Sequence, residues 1–482
     1  MDRFVNERTL GRIFLVSLEG QGVDANARFL RRMRPGAIAL FANDFSSNCE
    51  LQTLIGDIGR FYRDELSAEK PLISIDQEGG RVLRNPDIAN SPGNMALTAA
   101  GDPLLAEYAG SLMGSGLRMH GVDWDLAPVL DVNRDPLNPI IGTRSFGDDV
   151  EAVTTMGSAF IRGMRSVGCL TTAKHFPGHG AVGVDSHLDL PVDSRDSAEI
   201  MRDALPFRAS LAAGVDSVML SHLSYPSLTG EDLLPAPFSR RIVTDYLKRD
   251  MCCTVPVLTD SLSMGAIRKH FRPAESALAA VDAGVDMLAL TDRQDALEMF
   301  DALLHAGDRT EARVEDALRR VSRLYQPRGE PRHVSDEGLE SLVRRSVTRL
   351  GPDRRPDDPF SRVWSVYDFD VTVAGRTYRP LERAMDAIGV KWTRGGDGPA
   401  IIQLSDENIR EHLELSEIVA SHAESYCVGI GMPYDSLLVP GIPYYTGYSP
   451  DVMSVRACVE SLFGLFEPEG KLPVRLQPAA AE

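Results

Sequence analysis

Between Lys174 and Pro191 the chain reads KHFPGHGAVGVDSHLDLP. Three histidines (His175, His179 and His187), one lysine and two aspartates (Asp185 and Asp189) fall within eighteen residues. Pro177 and the glycines at 178, 180 and 183 break helix and strand alike, so from Pro177 onward this is a loop. Loops carried on a rigid scaffold are where catalysis concentrates. Asp185 stands two residues before His187. A carboxylate so placed can orient an imidazole, fix its tautomer and raise its basicity, which suits proton transfer. Metal ligation is the rival chemistry. His175 and His179 have i, i+4 spacing, but Pro177 and Gly178 forbid the helix that would put both rings on one face. No metal and no cofactor are expected.

A second candidate lies far along the chain. Asp260, in LTDSLSMGA, ends an apolar run and precedes small residues. A carboxylate there can attack an electrophilic carbon; alternatively Asp260 or Ser261 caps the next helix. Arg81 and Arg84 follow Gly79-Gly80, and Arg144 stands in GTRSFG. Arginines beside loop glycines can fork onto hydroxyls or carboxylates.

These residues need a frame. For about 300 residues, short apolar runs alternate with longer amphipathic ones. The strand-like runs are 12–18, 36–41, 72–76, 122–128, 170–176, 217–222, 255–260 and 287–290, with helical patterns between them. Continuous Val/Ile/Leu strands separated by helices make a parallel sheet covered on both faces. About eight such units fit a (β/α)₈ TIM-type barrel. A doubly wound open sheet is the alternative, but no G-x-G-x-x-G follows the first strand. In a barrel the chemistry lies at the C-terminal ends of the strands. Asp76, Asp125, Lys174 with His175, His222 and Asp260 all fall there, and five charged or titratable ends on one rim are costly unless paired or used.

Helical pattern continues to Tyr325. QPRGEPRH and GPDRRPDDP read as linker, with a helix expected over Gly338–Leu350 between them. From Val363 a second α/β pattern begins. The expected domains are therefore a barrel over 1–326, a linker with one helix over 327–360, and a smaller α/β sandwich over 361–482. The net charge of −18 argues against nucleic acid and anionic lipid. Six scattered cysteines form no C-x-x-C pair, which suits free thiols in a reducing compartment. The apolar run near the N-terminus is too short for a signal segment or a membrane span. A cytoplasmic, soluble protein is expected, with its oligomeric state left open.

Five motifs then converge. ISIDQEGGRVLR, DLAPVLDV, GTRSFG, KHFPGHG…DSHLDLP and LTDSLSMGAI occur in that order. Together they resemble the β-N-acetylhexosaminidase branch of glycoside hydrolase family 3. The closing GYSPDVMSVRACVESLFGLFEPEGKLPV resembles the end of that family's second domain. The resemblance implies a retaining enzyme with Asp260 as nucleophile and an Asp185–His187 dyad as acid/base. It implies sugar contacts from Asp76, Arg84, Arg144, Lys174 and His175. The expected activity is release of terminal GlcNAc from peptidoglycan or chitin fragments, the only partner being a small carbohydrate. A phosphorylase of the same family is the alternative, because a histidine acid/base does not repel phosphate as a carboxylate would. A metal hydrolase and a non-catalytic sugar-binding barrel are the other classes. The second would lack the acid or the nucleophile, and both are present in this sequence.

Overall fold

The computed structural model describes residues 5–20, 22–183, 190–405 and 415–476. Eight parallel strands close into a barrel in chain order. They are β1 (Phe14–Ser17), β2 (Ala37–Leu40), β3 (Leu72–Ile75), β4 (Trp124–Asp125), β5 (Leu170–Phe176), β6 (Ser217–Leu220), β7 (Val257–Ser261) and β8 (Met287–Leu290). Leu15 pairs with both Ala37 of β2 and Ala289 of β8, which closes the ring. Most of the strands are rich in apolar residues because each faces the barrel interior on one side and the helices on the other. β4 is only two residues long, shorter than the apolar run over 122–128. Pro128, which has no N–H to give a ladder, lies in that run.

Two strands are irregular where it matters. Between Ala173 and Phe176, β5 carries one more residue than its partner β6. Between Leu258 and Ser261, β7 does the same against β8. A bulge bends its strand and re-aims the side chains on it. Lys174 and His175 sit in the first bulge and Asp260 in the second.

A second, six-stranded sheet follows, ordered β13-β10-β14-β15-β16-β9. Its members are β9 (Thr348–Leu350), β10 (Val363–Tyr367), β13 (Lys391–Arg394), β14 (Ala400–Leu404), β15 (Ser425–Gly429) and β16 (Tyr444–Thr446). All pairings are parallel except β16 with β9. Helices Pro380–Ile388 and Val452–Leu462 pack beside it, and a hairpin of β11 (Val371–Val373) and β12 (Arg376–Tyr378) projects from it. The helix expected over Gly338–Leu350 stops at Ser346. Thr348–Leu350 is instead the edge strand β9, so the second sheet takes a strand from the stretch expected to be linker. The β-branched Val347-Thr348 pair favours that extended course. Among the described residues no helix is long and apolar enough to cross a membrane.

Candidate active site

The C-terminal ends of the barrel strands surround a cavity of about 390 Å³. Asp76, Arg84, Arg144, Lys174, His175 and Asp260 all line it, as do Glu78 and His179. Phe41, Met219 and Met264 supply apolar wall. Asp185 and His187 lie outside the described residues, as does most of the loop stretch after Gly183. The start of that loop is fastened to the barrel. Tyr225 Oη donates to Gly178 O (2.7 Å), and Asn138 Nδ2 donates to His179 O (2.8 Å). The Arg134 and Asp135 amides both donate to Gly180 O.

One side of the pocket is a chain of alternating charges. Arg144 forks onto Glu78 through Nε and Nη2, both at 2.8 Å. Lys174 Nζ lies 2.6 Å from Glu78 Oε1 and 2.9 Å from Asp76 Oδ1. Arg84 Nη2 stands 3.6 Å from Asp76 Oδ2, with its guanidinium 5.4 Å from the centre of the Phe41 ring. Burial works against the charge of Glu78, but Arg144 and Lys174 overcome it and hold this carboxyl well below the usual range. Burial likewise opposes the charge of Lys174, yet Asp76 and Glu78 raise its pKa above the ordinary value. Glu78, Lys174 and Arg144 thus keep their charges where they stand, and with Asp76 and Arg84 they present a row of donors and acceptors to a polyhydroxylated ligand.

His175 is oriented from behind. Its Nδ1 lies 2.8 Å from Asp131 Oδ2, and Asp131 Oδ1 also accepts the amides of His175 (3.2 Å) and His179 (2.6 Å). Despite full burial, which opposes ionisation, the two imidazoles and these amides keep Asp131 below the ordinary carboxylate range. An ionised Asp131 fixes the proton of His175 on Nδ1 and leaves Nε2 for the pocket. His179 is buried, and its pKa falls to about 4, so its ring is neutral at physiological pH.

Across the pocket, Asp260 Oδ1 accepts the Ser261 amide at 2.7 Å. Among the described residues no donor is bonded to Oδ2. Burial opposes the ionisation of Asp260, but His222 and His175 outweigh it and lower its pKa. The carboxylate is therefore ionised and has an oxygen to spare, which is what nucleophilic attack requires.

Sequence reasoning grouped Asp125 and His222 with these rim residues, but neither lines the cavity. Both are buried behind it. Asp125 Oδ1 accepts the Gln77 amide (2.9 Å), while its Oδ2 has no partner and burial pushes its pKa well up. Conversely, Glu78, His179 and Asp131 were not singled out as site residues. Glu78 stands in the same DQEGG string as Asp76, and Asp131 in DLAPVLDV. Both strings carried the resemblance, but neither partner could be read without the fold. Among the described residues no group of three or more His, Cys, Asp or Glu is arranged to hold a metal ion.

A parallel (β/α)₈ barrel with an ionised aspartate facing a row of arginine, lysine and carboxylate is a frame for chemistry on a hydroxylated substrate. Residues 11–324 match the model of the glycosyl hydrolase family 3 N terminal domain, and the chain belongs to that family. It is a glycoside hydrolase. A curated protein of Nitrosospira multiformis named beta-hexosaminidase is 33% identical over 306 residues, which span 62% of this chain and 85% of the relative. One of the same name from Vibrio cholerae is 38% identical over 273 residues, covering 56% and 79%. A solved family 3 beta-N-acetylglucosaminidase from Paenibacillus sp. str. FPU-7 superposes with a TM-score of 0.88 at 27% identity, over 99% of this chain and all of that one.

Proposed function

We propose that the chain is a retaining exo-β-N-acetylglucosaminidase that releases terminal GlcNAc from peptidoglycan- or chitin-derived oligosaccharides. The observation that carries this reading is the meeting of Asp260 with Asp76, Arg84, Arg144, Lys174 and His175 in one pocket. The similar proteins named beta-hexosaminidase and beta-N-acetylglucosaminidase support the choice of sugar. In this reading Asp260 attacks the anomeric carbon while the bond to the leaving oxygen breaks, and His187, oriented by Asp185, gives that oxygen its proton. His187 then takes a proton from water. The water oxygen bonds to the anomeric carbon and Asp260 leaves as the carboxylate. Asp76, Arg84, Arg144, Lys174 and His175 hold the sugar hydroxyls.

Water rather than phosphate is the favoured acceptor on electrostatic grounds. Among the described residues, Lys174, Arg144 and Arg84 each already face a carboxylate. A phosphate dianion would have to compete with Asp76 and Glu78 for them. The test is product analysis on GlcNAc-β-1,4-anhydro-N-acetylmuramic acid, chitobiose and aryl β-glucosides, with and without phosphate. Free GlcNAc is expected at a rate that phosphate does not change. A sugar 1-phosphate would make the enzyme a phosphorylase, and turnover of glucosides alone would overturn the choice of sugar. The roles separate by mutation. Asp260→Ala should abolish activity on every substrate. His187→Ala should cost ~10²–10⁴-fold on sugar leaving groups, show a burst on nitrophenyl substrates, and regain turnover with azide. Equal slowing of both leaving groups, with no burst and no azide rescue, sinks the dyad.

A further inference from the structure

The second domain touches the barrel directly behind one wall of the pocket. Ala374 and Gly375, at φ +52° and +73°, turn the β11–β12 hairpin tightly and put Arg376 at the start of β12. Its guanidinium forks onto Asp87 of the barrel, Nη1 to Oδ1 at 2.6 Å and Nη2 to Oδ2 at 2.9 Å. Nη2 also lies 3.5 Å from Ser46 O. Asp87 is three residues beyond Arg84, and Ser46 is five beyond Phe41. The two loops are also sewn to each other, Asn85 Nδ2 to Asn48 Oδ1 at 2.8 Å and Asn48 Nδ2 to Asp87 O at 3.4 Å.

On the barrel side, the Arg84 loop is held by Gln77. Its Oε1 accepts the amides of Arg84 and Asn85, each at 3.0 Å, and its Nε2 donates to Asn85 O at 2.7 Å. The outer side of both loops meets Arg376. We propose that Arg376, in the second domain, is a positioning residue for substrate binding: it pins the two barrel loops that bring Phe41 and Arg84 to the pocket. This rests on the reading of Arg84 as a sugar contact. A bidentate fork fixes direction as well as distance, so it restrains rotation of the loops and not only their separation. Asp260 stands on β7, bonded to none of these groups, so the restraint acts on binding and leaves the chemical step alone.

The experiment uses the full-length enzyme. Arg376→Ala should raise KM about two- to fivefold, the range a partly exposed ion pair supplies, with kcat unchanged. Arg376→Glu should raise it further, because like charges then face each other. The swap Asp87→Arg with Arg376→Glu should bring KM back towards wild type. Added salt should raise the wild-type KM more than that of Arg376→Ala. Hydrogen exchange gives a readout that does not depend on the sugar: amides of 41–48 and 84–91 should exchange faster in Arg376→Glu, with the rest of the barrel unchanged. An unchanged KM with unchanged exchange overturns the proposal. So does a fall in kcat equal to the rise in KM, or faster exchange throughout the chain. Arg84→Ala distinguishes the two readings. If it leaves KM unchanged, the sugar-contact role of Arg84 fails, while exchange in the two loops still decides whether Arg376 pins them.

Discussion

Lys174 and Glu78 are almost wholly hidden from solvent, and each keeps its charge because opposite charges stand beside it. Asp125 has no such company. Its single bond is to the Gln77 amide, and burial raises its pKa, so the folded state favours the protonated acid. A carboxyl whose folded pKa is raised gives its full stability below the unfolded value, about 4. That stability is lost as pH rises towards the folded value. Asparagine at this position keeps the acceptor for Gln77 and needs no proton. Asp125→Asn should therefore match wild type near pH 4 and gain on it by ~1.4 kcal/mol per pH unit above that, until the folded pKa is passed. Urea unfolding from pH 4 to 8 measures it; a difference that stays constant across the range would show an ionised Asp125. The same position shows what residue types alone reveal. A polar residue ending an apolar run flagged Asp76, Lys174, His175 and Asp260, all of which line the cavity, but it flagged Asp125 and His222 equally. Which of them face the cavity depends on bulges and on the length of β4, and those follow from pairing between strands distant in sequence.

At the scale of elements, the eight strand–helix units were legible because most strands, buried on both faces, lie in short apolar runs between helical patterns. The second sheet was less so. Lys391–Arg394 is largely exposed and reads KWTR, with one apolar residue among polar ones, so no apolar run announces β13. Helix contacts left a fainter mark still. Helices Pro103–Met119 and Val150–Ser166 approach so closely that an added Cβ at Gly163 would lie 2.0 Å from Glu107 O. One at Gly110 would lie 2.3 Å from Phe160 O. In isolation, Gly→Ala within a helix gains about 1 kcal/mol. Here the obstacle is backbone, which cannot swing aside, so Gly163→Ala should instead destabilise by ~1–3 kcal/mol without changing KM. Denaturant unfolding beside steady-state kinetics checks both halves, and a stabilised variant would show that the two helices can spread.

At the scale of the whole molecule, the chain returns to the barrel after completing the second sheet. Lys471 donates its amide to Ala99 O (2.9 Å), Asp148 donates to Pro473 O (3.3 Å), and the Arg475 amide donates to Asp148 Oδ2 (2.8 Å). A Cβ on Gly147 would lie 2.4 Å from Pro473 O, so the RSFG turn that carries Arg144 meets this returning segment without a side chain between them. Val474 is buried with Met95, Ala96 and Ala99 of the barrel and with Met432 and Tyr448 of the second domain. The FEPEGKLPV ending was recognisable as the close of a second domain, but nothing local in it says that the barrel is what it touches. One buried side chain that contacts both halves should make them unfold together. Val474→Asp puts an unpaired carboxylate into that cluster, a change that costs several kcal/mol unless the contact opens. Opening is the cheaper course, since it returns the carboxylate to water. Wild type should therefore unfold by calorimetry in a single transition. Val474→Asp should show two, with the second domain melting first and KM raised because the turn behind Arg144 has lost its support. A single transition in Val474→Asp at the wild-type temperature, with KM unchanged, would show that the returning segment neither couples the halves nor braces Arg144.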